Sequence, residues 1–124
     1  MRWMVDAMNV IGSRPDGWWK DRHAAMVRLV DQLERWTAST GDDVTVVLER
    51  SPSPPIESPV IEVTWAPKPG PNAADGEIVR RLREESDPAE ITVVTSDRAL
   101  ADQVRFLDAR VEPAEVFRRE IERA

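Results

Sequence analysis

The sequence contains no cysteine and only one histidine, His23, among its 124 residues. Without cysteine there is no disulfide framework and no thiolate metal site, and a single histidine argues against a zinc centre. No apolar run approaches the roughly 20 residues that cross a bilayer, and Asp6 interrupts the first apolar stretch, which is unlike a signal peptide. We therefore expect a cytoplasmic protein that does not bind membranes and that would hold any metal through oxygen ligands.

Several catalytic motifs are also absent. There is no G-x-x-x-x-G-K-[ST] loop, no G-x-G-x-x-G turn and no G-x-S-x-G elbow, so nucleotide binding by the first two routes and serine hydrolase chemistry by the third are excluded. The net charge of −6 argues against non-specific coating of nucleic acid, because phosphate binding usually requires a basic balance. It leaves a carboxylate-rich catalytic site open, since such a site contributes negative charge itself.

The length predicts a single domain over residues 1–124 in which strands alternate with helices. Short apolar runs predict strands at 2–5, 44–48, 60–65, 91–95 and 109–111. Apolar residues at helical spacing predict helices at 21–38, 72–85 and 97–106, and a last helix with Pro113 in its first turn. We predict loops at 9–17, 51–59 and 66–72, which are rich in glycine and proline. This order indicates an α/β fold with a mostly parallel sheet of four to five strands and helices on both faces. The relative direction of the second and third strands stays open, and the third is expected near an edge.

Three aspartates stand where a parallel sheet would bind ligands. Asp6 and Asp97 follow the first and fourth apolar runs, and Asp75 opens a helical segment. The carboxyl ends of parallel strands share one edge, and carboxylates that converge there repel one another unless a cation lies between them. Oxygen ligands suit Mg²⁺ or Mn²⁺, for which phosphodiester hydrolysis is the economical reaction. Each aspartate also has a structural alternative, because it could cap a loop or a helix.

Other polar residues rank below these three. Asn9 lies in the segment after Asp6 and could position a water or a phosphate oxygen. Glu49 ends the second strand, where pairing with the adjacent Arg50 is the alternative. Glu77 and Asp102 point away from Asp75 and Asp97 on their helices, so we give them secondary rank.

Basic and aromatic residues supply candidate substrate contacts. Trp18 or Trp19 could stack on a base, although core packing is the stronger interpretation for at least one of them. The candidate phosphate-binding residues lie in loops or near helix starts, and they are Arg14, Lys20, Arg22, Lys68, Ser96 and Arg98.

The ordered motifs resemble a known family. The segments 5–11 (VDAMNVI), 73–79 (AADGEIV) and 93–98 (VVTSDR) are similar to the three acidic motifs of NYN domains, in particular the bacterial YacP-like group. Order and spacing agree over nearly the whole chain. The resemblance implies a PIN-like, Rossmann-like three-layer fold and Mg²⁺- or Mn²⁺-dependent cleavage of RNA, including ribosome- or tRNA-associated RNA. Carried over by motif, the site residues are Asp6, Asn9, Asp75 and Asp97, of which the three aspartates hold metal.

Two departures from the family pattern leave a second function open. Ala7-Met8 replaces the usual Gly-Tyr, and Leu48-Glu49-Arg50 replaces Phe-Asp-Gly. The leading hypothesis is a metal-dependent endoribonuclease, and the alternative is an RNA- or protein-binding module on the same fold. A phosphatase with an aspartyl nucleophile is disfavoured because Met8 stands where a second aspartate is needed. The oligomeric state, monomer or homodimer, stays open.

Overall fold

The computed structural model describes residues 1–123 and contains one five-stranded parallel sheet with helices on both faces. The sheet order is β3-β2-β1-β4-β5. The strands are β1 (Arg2–Asp6), β2 (Asp43–Leu48), β3 (Glu62–Trp65), β4 (Ile91–Val94) and β5 (Arg110–Glu112). The helices are α1 (Ala7–Gly12), α2 (Arg22–Thr40), α3 (Ala73–Arg83), α4 (Arg98–Phe106) and α5 (Ala114–Glu122), with 3₁₀ turns at Trp18–Lys20 and Pro88–Glu90. The predicted α/β fold is confirmed.

The strand sequences explain the sheet order. β1, β2 and β4 are largely apolar and are covered on both faces, as central strands of a parallel sheet should be. β3 alternates polar Glu62 and Thr64 with apolar residues and lies at the edge, as expected. Its pairing with β2 is parallel, which resolves the strand direction that the sequence left open.

Two apolar layers hold the helices against the sheet. One layer lies under α1, α2 and α5, where the rings of Trp3, Trp36 and Phe117 meet at centroid distances of 5.2 to 5.3 Å. The other lies under α3 and α4 and is aliphatic, built around Ile78, Leu100 and similar side chains. Side chains alternate between these layers along each strand. The result is the expected three-layer architecture.

The segment after β1 corrects one prediction. Residues 9–17 were expected to form a loop, but the chain continues from Asp6 directly into α1. The first half of that segment has helical spacing, with Ala7, Val10 and Ile11 buried on one face. Gly12 is the last residue of α1, the serine and proline residues that suggested a loop lie after it, and Gly17 adopts a left-handed φ of 81°. Asn9 is therefore a helical residue whose position is fixed by packing.

The predicted third strand begins too early. Residues 60 and 61 lie outside β3 because the Ser58 Oγ accepts the backbone N–H groups of both Val60 and Ile61, each at 3.1 Å. A local side-chain acceptor thus competes with the sheet for these amides. Pro113 precedes α5 instead of lying in its first turn, and Asn72 precedes α3 without a capping side-chain bond. Other element boundaries differ from the prediction by one or two residues.

No helix within residues 1–123 is both long and apolar enough to cross a bilayer.

Candidate active site

The carboxyl ends of β1 and β4 lie side by side and bring the first and last acidic motifs together. Asp6 is the final residue of β1, and only 3% of its surface is exposed. β4 pairs with β1 up to Val94, so Thr95, Ser96 and Asp97 emerge next to Asp6. The sheet order thus explains how two motifs separated by about ninety residues in sequence share one edge.

A chain of hydrogen bonds joins these two strand ends. The Asp6 Oδ2 accepts from the Asn9 Nδ2 at 2.9 Å and from the Thr95 Oγ1 at 3.2 Å. The Thr95 Oγ1 in turn accepts the Asp97 backbone N–H at 3.1 Å, and the Asn9 Oδ1 accepts the Ser96 backbone N–H at 3.1 Å. Every bond to the Asp6 side chain here comes from a neutral donor. The network fixes the Asp6 carboxyl group without neutralising its charge.

Asp97 and Ser96 each have a structural role as well. One Asp97 oxygen, Oδ1, accepts the Leu100 backbone N–H at 2.9 Å, which confirms the predicted cap of α4. The Ser96 Oγ accepts the Ala114 backbone N–H at 2.9 Å and so anchors the start of α5. Capping uses one carboxylate oxygen, which leaves the other Asp97 oxygen for a ligand. The Ser96 hydroxyl keeps its proton available for donation.

The third aspartate interacts with both of the others through its charge. Asp75 lies half-buried in the first turn of α3. Burial raises the pKa of Asp6 from 3.8 to about 6, and the nearby Asp75 charge adds to the rise, against the opposing hydrogen bonds from Thr95 and Asn9. Burial and the charge of Asp97 likewise raise the pKa of Asp75. Asp75 therefore links Asp6 and Asp97 into one acidic cluster, in which burial and a neighbouring charge raise the pKa of Asp6 and of Asp75.

The acidic cluster fits a hard divalent cation as an open site. Within residues 1–123, no three Asp, Glu or His side chains are arranged as a ready-made metal cage. Mg²⁺ commonly binds through one or two carboxylates and keeps several waters, so it does not need such a cage. The donors at this edge are carboxylate, amide and hydroxyl oxygens, which are the ligands that Mg²⁺ and Mn²⁺ prefer. The role of each aspartate as a ligand stays a prediction.

The predicted phosphate-binding residues do not all lie at this edge. Arg98 borders a 640 Å³ groove together with Thr95, Ser96 and Arg105, so it adjoins the acidic cluster. Arg14 forms an ion pair with Glu122 and lines a separate cavity between α1, α2 and α5. Arg98 thus shares a groove with Thr95 and Ser96, which adjoin the acidic cluster, and its contact with a substrate phosphate stays a prediction.

The remaining basic candidates surround the start of α2 or lie beyond β3. The Arg22 guanidinium lies 5.3 Å from the Trp18 ring centroid and 3.9 Å from a Glu49 oxygen. Lys20 and Lys68 are exposed. Trp18 packs against the core, as expected for one of the two tryptophans, whereas Trp19 is exposed. These residues could contact RNA outside the acidic cluster.

The secondary carboxylates are engaged elsewhere. Glu77 is buried and pairs with Arg80 and Arg81, each with an N–O distance of 2.7 to 2.8 Å, which holds the pKa of Glu77 below its usual value. Glu49 forms an ion pair with Arg22, whereas the sequence had suggested a pair with the adjacent Arg50. Asp102 is exposed, with Arg105 at 4.0 Å. None of the three approaches Asp6.

Sequence reasoning missed Thr95 as a member of the site. It was predicted only as the last residue of the fourth strand, yet its hydroxyl links Asp6 to the Asp97 backbone. Thr95 is 1% exposed. The available signal was a polar residue at the end of an otherwise apolar run, directly before Ser96 and Asp97.

The fold and the acidic edge together define a nuclease-type α/β domain. The family model of the YacP-like NYN domain matches residues 3–124. The chain belongs to this family, which confirms the resemblance seen in its motifs.

Solved structures agree with this assignment. The chain is similar to Rae1 (YacP) from Bacillus subtilis, with 22% identity and a TM-score of 0.82 over 99% of this chain and 74% of that one. A tryptophan-to-leucine variant of the same protein gives 22% identity and a TM-score of 0.81 over 98% and 75%. At this identity, the likeness shows the fold. A comparison with curated protein sequences finds no match.

Proposed function

We propose that this protein is a metal-dependent endoribonuclease that hydrolyses RNA phosphodiester bonds at the acidic cluster of Asp6, Asp75 and Asp97. The observation that carries the proposal is the convergence of the strand ends that carry Asp6 and Asp97, next to Asp75, whose charge contributes to the raised pKa of the buried Asp6. A buried carboxylate with a raised pKa and no cationic partner costs stability and is typical of functional sites. Family membership supports RNA as the substrate and a nuclease reaction.

The residues of the chain have distinct tasks in this reaction. Mg²⁺ or Mn²⁺ would be held by Asp6, Asp75 and Asp97. The ion would in turn keep the scissile phosphate at the acidic cluster. When bound, such an ion lowers the pKa of water and stabilises the charge that develops on phosphate oxygens. The Asn9 amide and the Thr95 hydroxyl keep the Asp6 carboxyl group in one orientation. Arg98 borders the adjoining groove and is positioned to bind a neighbouring phosphate.

A circular single-stranded RNA tests both the reaction and its endonucleolytic mode. The purified protein is incubated with this RNA in Mn²⁺ or in EDTA, and linear products are measured. We expect cleavage in Mn²⁺ and none in EDTA. The cleavage rate should fall by at least about a hundredfold in Asp6→Asn and in Asp97→Asn. Groups that only orient metal ligands typically change activity by about tenfold to a hundredfold. Asp31→Asn, an exposed change on α2, is the matched control and should cleave like the parent. Cleavage in EDTA, or undiminished cleavage by both site variants, would refute the mechanism.

A binding module without catalysis is the second candidate function. It is favoured by the absence of a ready-made cage among residues 1–123 and by the use of an Asp97 oxygen as a helix cap. Calorimetric titration with Mn²⁺ separates the two functions. RNA binding without metal uptake or cleavage supports the module, whereas metal uptake that is lost in Asp6→Asn supports the nuclease.

A further inference from the structure

An apolar groove at the edge strand is not used by the acidic cluster. It has a volume of 530 Å³, within the range of roughly 300–1,000 Å³ typical of ligand pockets. It lies between the β2–β3 connection and β3. Its apolar walls are formed by Pro52, Pro55, Ile56, Ile61, Val63 and Trp65. Trp65 is 39% exposed, although it is the largest of these side chains. A flat aromatic surface is therefore available to a ligand.

The sheet register places this groove close to the acidic cluster. Asp6 is level with Val47 on β2, and Val47 is level with Thr64 on β3. Trp65 is the next residue along β3, so its backbone lies about two strand spacings, or ~10 Å, from that of Asp6. Both residues end their strands at the same edge of the sheet. The Trp65 side chain points to the opposite face of the sheet from the Asp6 side chain, because Trp65 is one residue beyond the position level with Asp6. An RNA chain bound at the acidic cluster would therefore cross the carboxyl edge of the sheet to place a nearby nucleotide in the groove.

The charges around the groove favour a base over a phosphate. Glu57 and Glu62 lie in its lining. Glu62 is paired with Arg81 at 3.3 Å, so the carboxylate of Glu57 is the main charge in the lining that would repel a phosphate. Two basic residues lie outside the lining. Arg50 directly precedes Ser51, where the lining begins, and Lys68 follows Trp65 by three residues. Both are exposed, and within residues 1–123 neither has a carboxylate within 4.0 Å. They are free to contact phosphates on either side of an inserted base.

We propose that this groove binds an unpaired base of the RNA substrate, which stacks on Trp65. The inference rests on the proposed nuclease function and adds a substrate requirement to it. Base stacking on an aromatic side chain tolerates every base, whereas a paired base remains inside its helix. The groove thus selects single-stranded RNA near the cleaved bond, with little preference for sequence. A short apolar peptide of a partner protein is the competing occupant.

Binding of abasic RNA tests the proposal directly. A fluorescent single-stranded RNA is prepared with one abasic nucleotide at each successive position, and affinity is measured by anisotropy in EDTA, so that cleavage does not interfere. We expect one or two adjacent positions to lose affinity by roughly 5- to 100-fold, the range of a single base stack. Trp65→Ala should lose the same factor on intact RNA and should no longer respond to the abasic positions. Trp65→Phe should retain most of the affinity.

Controls separate this proposal from a general loss of folding or of function. Phe106→Ala removes another exposed aromatic, 86% exposed at the far end of α4, and should bind every RNA like the parent. If Trp65→Ala does not fold, as judged by circular dichroism, Trp65→Leu replaces it, because leucine keeps apolar bulk in the groove but offers no aromatic ring for stacking.

The outcomes distinguish the groove from the catalytic proposal. An abasic scan that is flat in the parent, or a folded Trp65→Ala variant that binds like the parent, overturns the groove even if cleavage is normal. A position-dependent scan that Trp65→Ala abolishes supports the groove even if no cleavage is seen, in which case the nuclease proposal alone fails. Absence of RNA binding in EDTA overturns the groove and indicates an apolar peptide as its occupant, whereas the nuclease proposal is decided by the cleavage assay in Mn²⁺.

Discussion

The two ends of the central strand β1 differ in how their charged side chains are paired. At its start, Arg2 donates two hydrogen bonds to Glu85 at 2.9 and 2.7 Å, and the Trp3 indole N–H donates to Asp42. At its end, Asp6 is buried among neutral donors with Asp75 as its charged neighbour. The first end is built from complementary charges and contributes to stability. The second concentrates like charges, a cost that a bound cation would relieve.

This contrast predicts opposite pH responses at the two ends. Asp6 has a raised pKa, so its contribution to folding is fully favourable below pH 3.8 and is lost as the pH rises through about 6. Arg2 holds the pKa of Glu85 below its usual value, so that contribution is present above pH 4.5 and is lost as the pH falls. The acidic end thus opposes folding at neutral pH, where the paired end supports it.

The largest expected effect comes from removing the charge of Asp6. In EDTA at pH 7, Asp6→Asn should raise the free energy of unfolding by up to about 3 kcal/mol, because a pKa rise of about two units corresponds to ~1.36 kcal/mol per unit. The gain should disappear near pH 4, where Asp6 is protonated in the parent. Urea denaturation at both pH values checks this. A variant less stable than the parent at pH 7 would show that the Asp6 carboxylate is not a source of strain.

A smaller effect is expected from Thr95→Val, which preserves shape and removes the hydroxyl. The variant loses the hydrogen bond that the Thr95 hydroxyl donates to Asp6 and the one that it accepts from the Asp97 backbone N–H. The free energy of unfolding should fall by about 1–2 kcal/mol. It should also raise the pKa of Asp6 further. Thr92→Val, in the same strand but outside this network, is the matched control for chemical denaturation. Equal effects of the two changes would remove Thr95 from the site.

The smallest effect is expected at the paired end. Glu85→Gln removes the charge that binds Arg2, but both side chains are partly exposed and water screens the pair. The free energy of unfolding at pH 7 should fall by about 1 kcal/mol or less, with no change in RNA cleavage. The difference should shrink as the pH falls below 4.5, where the contribution of the pair is lost. A loss of cleavage would contradict the account that the Arg2–Glu85 end of β1 contributes to stability and the Asp6 end to catalysis.

The sequence predicted the parts of the molecule that depend on local pattern. The valine-rich strands, the amphipathic α2 that ends at Gly41 and the Asp97 cap follow from periodicity and capping rules, and the structure confirms them. The polarity of Glu62 and Thr64 likewise indicated an edge strand. These signals need only neighbouring residues.

Two of the features that the sequence analysis missed have local causes, and one depends on a contact between distant segments. Helix α1 was hidden by the glycine and proline that follow it, although Ala7, Val10 and Ile11 already had helical spacing. The late start of β3 depends on one hydroxyl, that of Ser58. Thr95 became a candidate only once β4 was seen to lie beside β1. Metal ligation by the three aspartates stays a prediction, because it concerns an atom that the chain does not contain.

The most direct test of the acidic cluster is a carbon-13 NMR titration of the Asp6 carboxyl group with and without Mg²⁺. Without the ion, the pKa should be about 6, because of burial and the charge of Asp75. With saturating Mg²⁺, a cation next to the carboxylate should lower the pKa of Asp6 below its usual value. Identical titration curves in the two conditions would contradict the proposal that Asp6, Asp75 and Asp97 form a metal site.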